Sequence, residues 1–130
     1  MNYPWPIFDP SVLEELDSYT KAHGEEPLSI ELKQIFFKRC PEIYQRLKSG
    51  AQVQSIQEIT FAAHTLKSSA ANIGLTRLAK QCEKLEDACR ARHDMTNMLQ
   101  LIEELEEMVG ASFEALHTYP SPDFNTAALH

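Results

Sequence analysis

The residues best suited to chemistry in this sequence are a histidine and a lysine three positions apart, His64 and Lys67. A neutral imidazole carries a free lone pair at physiological pH, so it can act as a nucleophile. Helix positions three apart are neighbours, which places the Lys67 ammonium where it would meet an anion held at the ring. The side chains that follow, at 68–71, are all small, so the backbone of another molecule could approach this surface closely.

A helix that begins at Ser55 must position this pair. Ser55 followed by Glu58 forms a capping box, and Gly74 supplies the left-handed residue with which a helix often ends. Winding the segment at about 100° per residue predicts two faces. The buried face contains Ile59, Ala62, Leu66, Ala70 and Ile73. The outward face contains His64 together with Thr60, Phe61, Lys67, Ser68 and Ala71.

Histidine by itself is a weak indicator of function. A lone histidine in an amphipathic helix usually has no chemical role, and this is our interpretation of His23, His93, His117 and His130. A core role for His64 is excluded by its angle, because it lies opposite Leu66 and Ile73. Periodicity leaves open whether the exposed ring is functional or an ordinary surface residue.

A carboxylate lies at the edge of the packing seam of the next helix. That seam is formed by apolar residues spaced alternately three and four apart, namely Leu75, Leu78, Cys82, Leu85 and Cys89. Glu86 lies about 40° from Cys82 by the same winding. Because unpaired burial of a carboxylate is costly, Glu86 must have a partner. That partner is either a polar group of a neighbouring helix or part of a catalytic arrangement, and both remain open.

Three further helical segments complete the predicted fold, at residues 9–24, 29–50 and 94–117. Pro41 interrupts the second of them and is expected to kink or divide it, because proline removes a helical hydrogen bond. Strand-like alternation is absent. We therefore predict an all-α protein, an antiparallel four-helix bundle with a short additional N-terminal helix as a lid.

The predicted bundle domain occupies residues 9–117. Residues 1–8, with two prolines, are expected to form an extended N-terminal arm, and residues 118–130 a flexible C-terminal tail. The initial methionine and the full set of helices favour a free-standing protein, which we expect to be a monomer.

The composition favours a cytoplasmic protein that binds neither nucleic acid nor membranes. The chain has 130 residues, with 19 Asp and Glu against 12 Lys and Arg and a net charge of -7. Such a surface repels phosphate backbones and anionic lipids. No apolar run approaches a membrane span, and the N-terminus has no signal pattern. The three cysteines form no C-x-x-C pair and are expected to be buried thiols in a reducing compartment.

The segment 63–75 resembles the signature of histidine-containing phosphotransfer (HPt) domains, in which a lysine follows the histidine by three residues. Its sequence is Ala-His-Thr-Leu-Lys-Ser-Ser-Ala-Ala-Asn-Ile-Gly-Leu. The resemblance continues through Leu78, Cys82 and Leu85-Glu86 and back to the helix at 36–47, so it covers residues 8–117. One departure is Ser68, where the family most often has glycine. Serine is also small, so we expect altered packing against a partner and not lost function.

The resemblance implies that His64 is a phosphoacceptor in a phosphorelay. It would accept a phosphoryl group from the aspartyl phosphate of a receiver domain and pass it to another receiver. Lys67 would stabilise the charge of the phosphoryl oxygens, Ser68 could donate a hydrogen bond to them, and Glu86 could orient the ring. The outward face defined above would dock the receiver, with Phe61 as its apolar anchor.

The resemblance also implies that this chain binds no cofactor and that Mg²⁺ belongs to the partner receiver domain. The sequence agrees, because it has no glycine-rich phosphate loop and thus no ATP-binding kinase site. The expected partners are receiver domains of response regulators or hybrid histidine kinases.

Two other functions are compatible with parts of the pattern. A non-phosphorylated helical adaptor could bind a response regulator through the same outward face, although it would need neither His64 nor Lys67. A metal-binding bundle is suggested by Glu114-x-x-His117, but a di-iron site needs two such motifs and further glutamates, and the chain has one.

Overall fold

Five helices account for most of the residues that the computed structural model describes, which are 3–92 and 94–119. They are α1 (Ser11–Ala22), α2 (Leu28–Gln52), α3 (Ile56–Ala71), α4 (Thr76–Arg90) and α5 (Met95–His117). The described residues contain no strand. The predicted all-α class, with a short additional N-terminal helix, is confirmed.

Helices α2 to α5 form the bundle. The connections at 53–55, 72–75 and 91–94 are short, so consecutive helices run antiparallel. α3 packs between α2 and α4, α5 packs against α4 and α2, and α1 packs on α2. α3 therefore has one face toward the core and one toward solvent.

The core is built from the apolar faces that periodicity predicted. On α3, the residues of the predicted buried face are fully buried, and Ile73, which follows the helix end, is 2% exposed. On α4, the seam is equally enclosed, and its members Cys82 and Cys89 are free thiols, as is Cys40 on α2. The three cysteines are thus buried core residues, as expected.

The two ends of α3 are defined by local hydrogen bonds. Ser55 accepts a bond from the Glu58 N–H at 3.2 Å, which is one half of the predicted capping box. The other half is missing, because the Glu58 carboxylate binds Arg46 at 2.9 Å. At the far end Gly74 has φ +85°, and a side chain there would collide with the Asp9 carbonyl oxygen.

α2 is undivided, which excludes one of the two outcomes predicted at Pro41, and it ends later than predicted. It continues through Pro41 without division, since Cys40 and Ile43 on either side of the proline keep one buried face. It also does not end at Ser49-Gly50 but at Gln52. Gly50 is needed for close packing and not for termination, because a Cβ there would lie 2.9 Å from the Glu58 Cβ.

The N-terminal arm lies against the start of α4. The backbone N–H of Arg77 donates to the Pro6 carbonyl at 3.0 Å, and its Nε donates to the Trp5 carbonyl at 2.8 Å. The Asp9 N–H donates to the Gly74 carbonyl at 2.7 Å. α1 begins at Ser11, two residues into the predicted segment 9–24, and the Ser11 N–H donates to the Asp9 carboxylate at 3.0 Å.

The packed structure extends two residues past the predicted end of the bundle. Tyr119, which the prediction placed in the flexible tail, is 9% exposed and its ring packs edge-on against Phe8 at 5.7 Å. Lys33 donates to the carbonyls of Leu116, at 3.2 Å, and of Tyr119. The rest of the predicted tail, residues 120–130, and the first two residues of the arm lie outside the described residues.

Within the described part of the chain, no helix combines the length and apolar character that crossing a membrane requires.

Candidate functional site

His64 projects from the solvent-facing side of α3. Its side chain is 62% exposed, whereas the adjacent Ala63 and Leu66 are fully buried. The ring lies at the rim of a shallow depression of about 480 Å³ between α3 and α4. The exposed position predicted from the helical angle is confirmed.

Glu86, on α4, holds the His64 imidazole by a hydrogen bond. Its carboxylate is 8% exposed, and Oε2 lies 3.0 Å from His64 Nδ1. A carboxylate only accepts hydrogen bonds, so Nδ1 carries the hydrogen and donates a hydrogen bond to Glu86 Oε2. The lone pair is then on Nε2, at the other edge of the ring. The partner of Glu86 left open by the sequence is therefore the imidazole of the neighbouring helix.

Lys67 contacts the same carboxylate. Its ammonium lies 2.5 Å from Glu86 Oε1 and its side chain is 31% exposed, so the side chain is held at the protein surface and does not project freely into solvent. The sequence predicted that Lys67 lies beside the ring but did not predict its ion pair with Glu86. Glu86 thus contacts the imidazole with one oxygen and the ammonium with the other.

Glu86 and Lys67 stabilise each other's charged forms. Burial raises the pKa of the Glu86 carboxyl, but hydrogen bonds from Lys67 and His64 and the charge of Lys67 lower it by more, so the net shift is downward. The hydrogen bond to Glu86 raises the pKa of Lys67. Both side chains are consequently charged at neutral pH.

The remaining residues of the predicted outward face fall into two depressions on either side of the site. Thr60 and Phe61 line the one that contains His64 and Glu86. Ser68 and Ala71 line a second depression of about 520 Å³, which Lys67 also borders. Thr60 donates its hydroxyl to the Ile56 carbonyl at 2.7 Å, and Ser68 and Ala71 are exposed. The predicted outward face is therefore divided between two depressions, with His64 in one and Lys67 in the other.

Phe61 is held in place although it is 53% exposed. The Arg46 guanidinium from α2 lies over its ring, 4.4 Å from the centroid, and is itself fixed by the Glu58 carboxylate. A cation over an aromatic face stabilises this arrangement. The aromatic anchor expected from the sequence therefore presents a defined orientation to solvent.

Sequence reasoning missed three residues of the site. Ile56 and Gln57 line the depression around His64, one helical turn before Thr60 and Phe61, where the spacing of four could have revealed them. Arg90 lies with Nη2 3.7 Å from Glu86 Oε2. Its position four residues after Glu86 on one helix was a readable signal for an ion pair.

The metal-binding alternative gains no support from the geometry. Over residues 3–92 and 94–119, no three His, Cys, Asp or Glu side chains come together in a way that could hold a metal ion. In the Glu114-x-x-His117 motif, the His117 ring is stacked on Phe37, with centroids 4.4 Å apart and planes at 14°.

Comparison with known proteins identifies the family. The model of the Hpt domain family matches residues 31–115, which is more than half of the chain. The chain therefore belongs to the Hpt domain family, as the segment 63–75 predicted.

Two individual proteins resemble this chain. The phosphorelay intermediate protein YPD1 of Candida albicans is 26% identical over 83 residues, which cover 64% of this chain and 41% of that protein. This chain thus matches less than half the length of that relative. The crystal structure of histidine-containing phosphotransfer protein B (HptB) from Pseudomonas aeruginosa PAO1 superposes with a TM-score of 0.75 at 24% identity, covering 87% of this chain and 93% of that one. The latter similarity supports the fold.

Proposed function

We propose that this chain is a histidine phosphotransfer protein, in which His64 accepts a phosphoryl group from a receiver-domain aspartyl phosphate and passes it to another receiver. The observation that carries the proposal is the hydrogen bond from His64 Nδ1 to the buried Glu86 carboxylate, at 3.0 Å. It leaves the nucleophilic lone pair on Nε2 of a ring that is 62% exposed. Membership of the Hpt family and the phosphorelay role in the name of the Candida relative support the same function.

The transfer itself needs little chemistry from this chain. Nε2 attacks the phosphorus, the N–P bond forms, and the acyl P–O bond breaks to leave the receiver carboxylate. Positive charge develops on the ring as the bond forms. The Glu86 carboxylate, 3.0 Å from Nδ1, stabilises that charge and keeps the proton on Nδ1. Attack by a second receiver aspartate on the phosphorus reverses these changes.

Two side chains one turn from the acceptor can stabilise the transferred group. A phosphoryl group carries close to two negative charges at neutral pH. Lys67 can move from Glu86 toward its equatorial oxygens, because its flexible stem is partly exposed. Ser68, exposed and next in sequence, can donate a hydroxyl hydrogen bond to the same oxygens.

The depression around His64 is the proposed docking surface for the receiver. Ile56 and Phe61 give it an apolar floor and edge, and the reactive ring lies at its rim. The Arg46 contact orients Phe61 before binding, which reduces the entropy lost when a partner covers the ring. The contact should be modest in area, because the receiver must leave after transfer. Mg²⁺ would arrive with the receiver.

The family and the buried thiols also bear on the partners and the location of the chain. The partners would be response regulators or hybrid histidine kinases, and the protein would act as a cytoplasmic monomer. The three unpaired, buried cysteines suit a reducing compartment. The alternative of a non-phosphorylated adaptor is not favoured, since it gives no reason for a buried carboxylate beneath an exposed imidazole.

The decisive experiment measures phosphate transfer from a radiolabelled, phosphorylated receiver domain to the purified protein. We expect acid-labile label on the wild-type chain and none on His64→Gln. The matched control is His23→Gln, which alters an exposed histidine at the end of α1 and should retain wild-type labelling. Equal labelling of His64→Gln and wild type would refute the proposal.

A further inference from the structure

We propose that Arg90 is a positioning residue that replaces Lys67 as the counter-ion of Glu86 when a phosphoryl group on His64 recruits the Lys67 ammonium. The inference rests on the proposed function and assigns a role to a residue that the mechanism above does not use.

During phosphotransfer the single positive charge of Lys67 has two possible anionic partners, the Glu86 carboxylate and the phosphoryl group on His64. In the unmodified protein the Lys67 ammonium lies 2.5 Å from Glu86 Oε1. A phosphoryl group on Nε2 would lie at the opposite edge of the ring from the Nδ1 that Glu86 holds. Because that group carries about twice the charge of a carboxylate, the ammonium is drawn toward it and away from Glu86.

Glu86 cannot lose its cation without cost. Its side chain is 8% exposed, and Oε1 is fully enclosed, with the Lys67 ammonium as the charge that faces it. A largely buried carboxylate that loses its charge partner is strongly destabilised. Departure of Lys67 would therefore be opposed unless another cation approached Glu86.

Arg90 is placed to make that approach. Its Nη2 lies 3.7 Å from Glu86 Oε2, too far for a hydrogen bond, while Nη1 binds Asp87 at 2.9 Å. The side chain is 69% exposed, so it can move by the required few tenths of an ångström or more. The planar guanidinium has five donors and can keep Asp87 with one nitrogen while another binds Glu86. Lys80, a further cation of α4, is paired with Glu83.

A double-mutant cycle on Arg90 and Glu86 tests this role. The donor is phosphoramidate, which needs no docking: the bond from His64 Nε2 to phosphorus forms, the P–N bond of phosphoramidate breaks, and ammonia leaves. We expect Arg90→Gln to slow phosphorylation about 5- to 10-fold, which lies within the range of coupling energies between contacting residues. In a Glu86→Gln background the amide still accepts from Nδ1 but holds no cation, so adding Arg90→Gln should change nothing further.

The control is Arg92→Gln, which removes the same charge from an exposed residue just beyond α4 and should leave the rate unchanged in both backgrounds. If Arg90→Gln slows the reaction equally in both backgrounds, Arg90 acts on the phosphoryl group directly and the inference is wrong. If it slows neither, the inference is also wrong. Failure of the proposed function looks different, since His64→Gln would then take up phosphate as wild type does.

Nuclear magnetic resonance gives a second readout that a merely structural arginine would not move. On phosphorylation of the wild-type chain, we expect the Arg90 guanidinium signals to shift and their exchange with water to slow. In Glu86→Gln the shift should disappear while phosphohistidine still forms. Arg90 signals that are identical before and after phosphorylation of the wild type would overturn the inference.

Discussion

Glu86 joins the two residues whose spacing first suggested chemistry. Each of its oxygens has a different partner, with the His64 ring at 3.0 Å and the Lys67 ammonium at 2.5 Å. The carboxylate therefore determines both which ring nitrogen is nucleophilic and where the Lys67 ammonium lies. An exposed imidazole without such a partner would have nothing to keep its proton on Nδ1.

This arrangement makes a prediction about the ring itself. In Glu86→Ala the proton should no longer be confined to Nδ1, and phosphate uptake should fall about tenfold or more, as when a group that orients a reactive imidazole is removed. Glu86→Gln should retain the Nδ1–H form, because its carbonyl oxygen accepts the same bond. ¹⁵N chemical shifts of the neutral ring report the tautomer. Identical tautomer populations in wild type and Glu86→Ala would contradict the prediction that Glu86 keeps the proton on Nδ1.

At the scale of elements, the site depends on how closely α3 approaches the helices on either side. Gly50 near the end of α2 lets the first turn of α3 pack directly against it. This contact fixes the helix start that carries Ile56 and Gln57, and with it the depression around His64. α4 supplies Glu86 and Arg90 from the other side.

Two glycine substitutions separate this packing requirement from helix propensity. A side chain at Gly50 would meet the Glu58 Cβ at 2.9 Å, so Gly50→Ala should lower the free energy of unfolding by about 1–3 kcal/mol. At Gly110 on α5 an added Cβ would meet no atom of another described segment within 4 Å, so Gly110→Ala should raise the free energy of unfolding by about 0.5–1 kcal/mol. Urea denaturation measures both. Equal stabilisation by the two changes would show that Gly50 is not required for close packing.

At the scale of the whole molecule, the bundle encloses every thiol of the chain. Cys40, Cys82 and Cys89 are at most 3% exposed and unpaired. Burial raises the pKa of all three thiols, that of Cys40 to about 12, so the reactive thiolate is scarce at neutral pH. Access to these groups therefore requires the helices to separate.

The thiols should accordingly report on unfolding. We expect a disulfide reagent such as 5,5′-dithiobis(2-nitrobenzoate) to label native protein far more slowly than urea-unfolded protein. Gly50→Ala should accelerate labelling of the native protein by the factor by which it raises the population of unfolded molecules. Absorbance of the released thiolate follows the reaction. Rapid labelling of one cysteine in the native protein, unaffected by Gly50→Ala, would indicate local exposure.

The amino-acid sequence by itself determined the helical class, the buried faces and the exposure of His64. These follow from periodicity, which is a local property: Leu66 and Ile73 on one side of α3 oblige His64 to lie on the other. The family also followed from a contiguous segment, 63–75. The end of α2 was less predictable, since Gly50 was interpreted by a local rule that packing overrode.

Only the tertiary structure decided that Glu86 holds both His64 and Lys67 and that Phe61 is fixed by Arg46. The residues of these contacts lie on different helices, and His64 and Glu86 are 22 positions apart in the sequence. Their meeting depends on the relative rotation and offset of packed helices, which no local pattern encodes. Burial then gives the contacts their strength, because a carboxylate shielded from water must keep its partners.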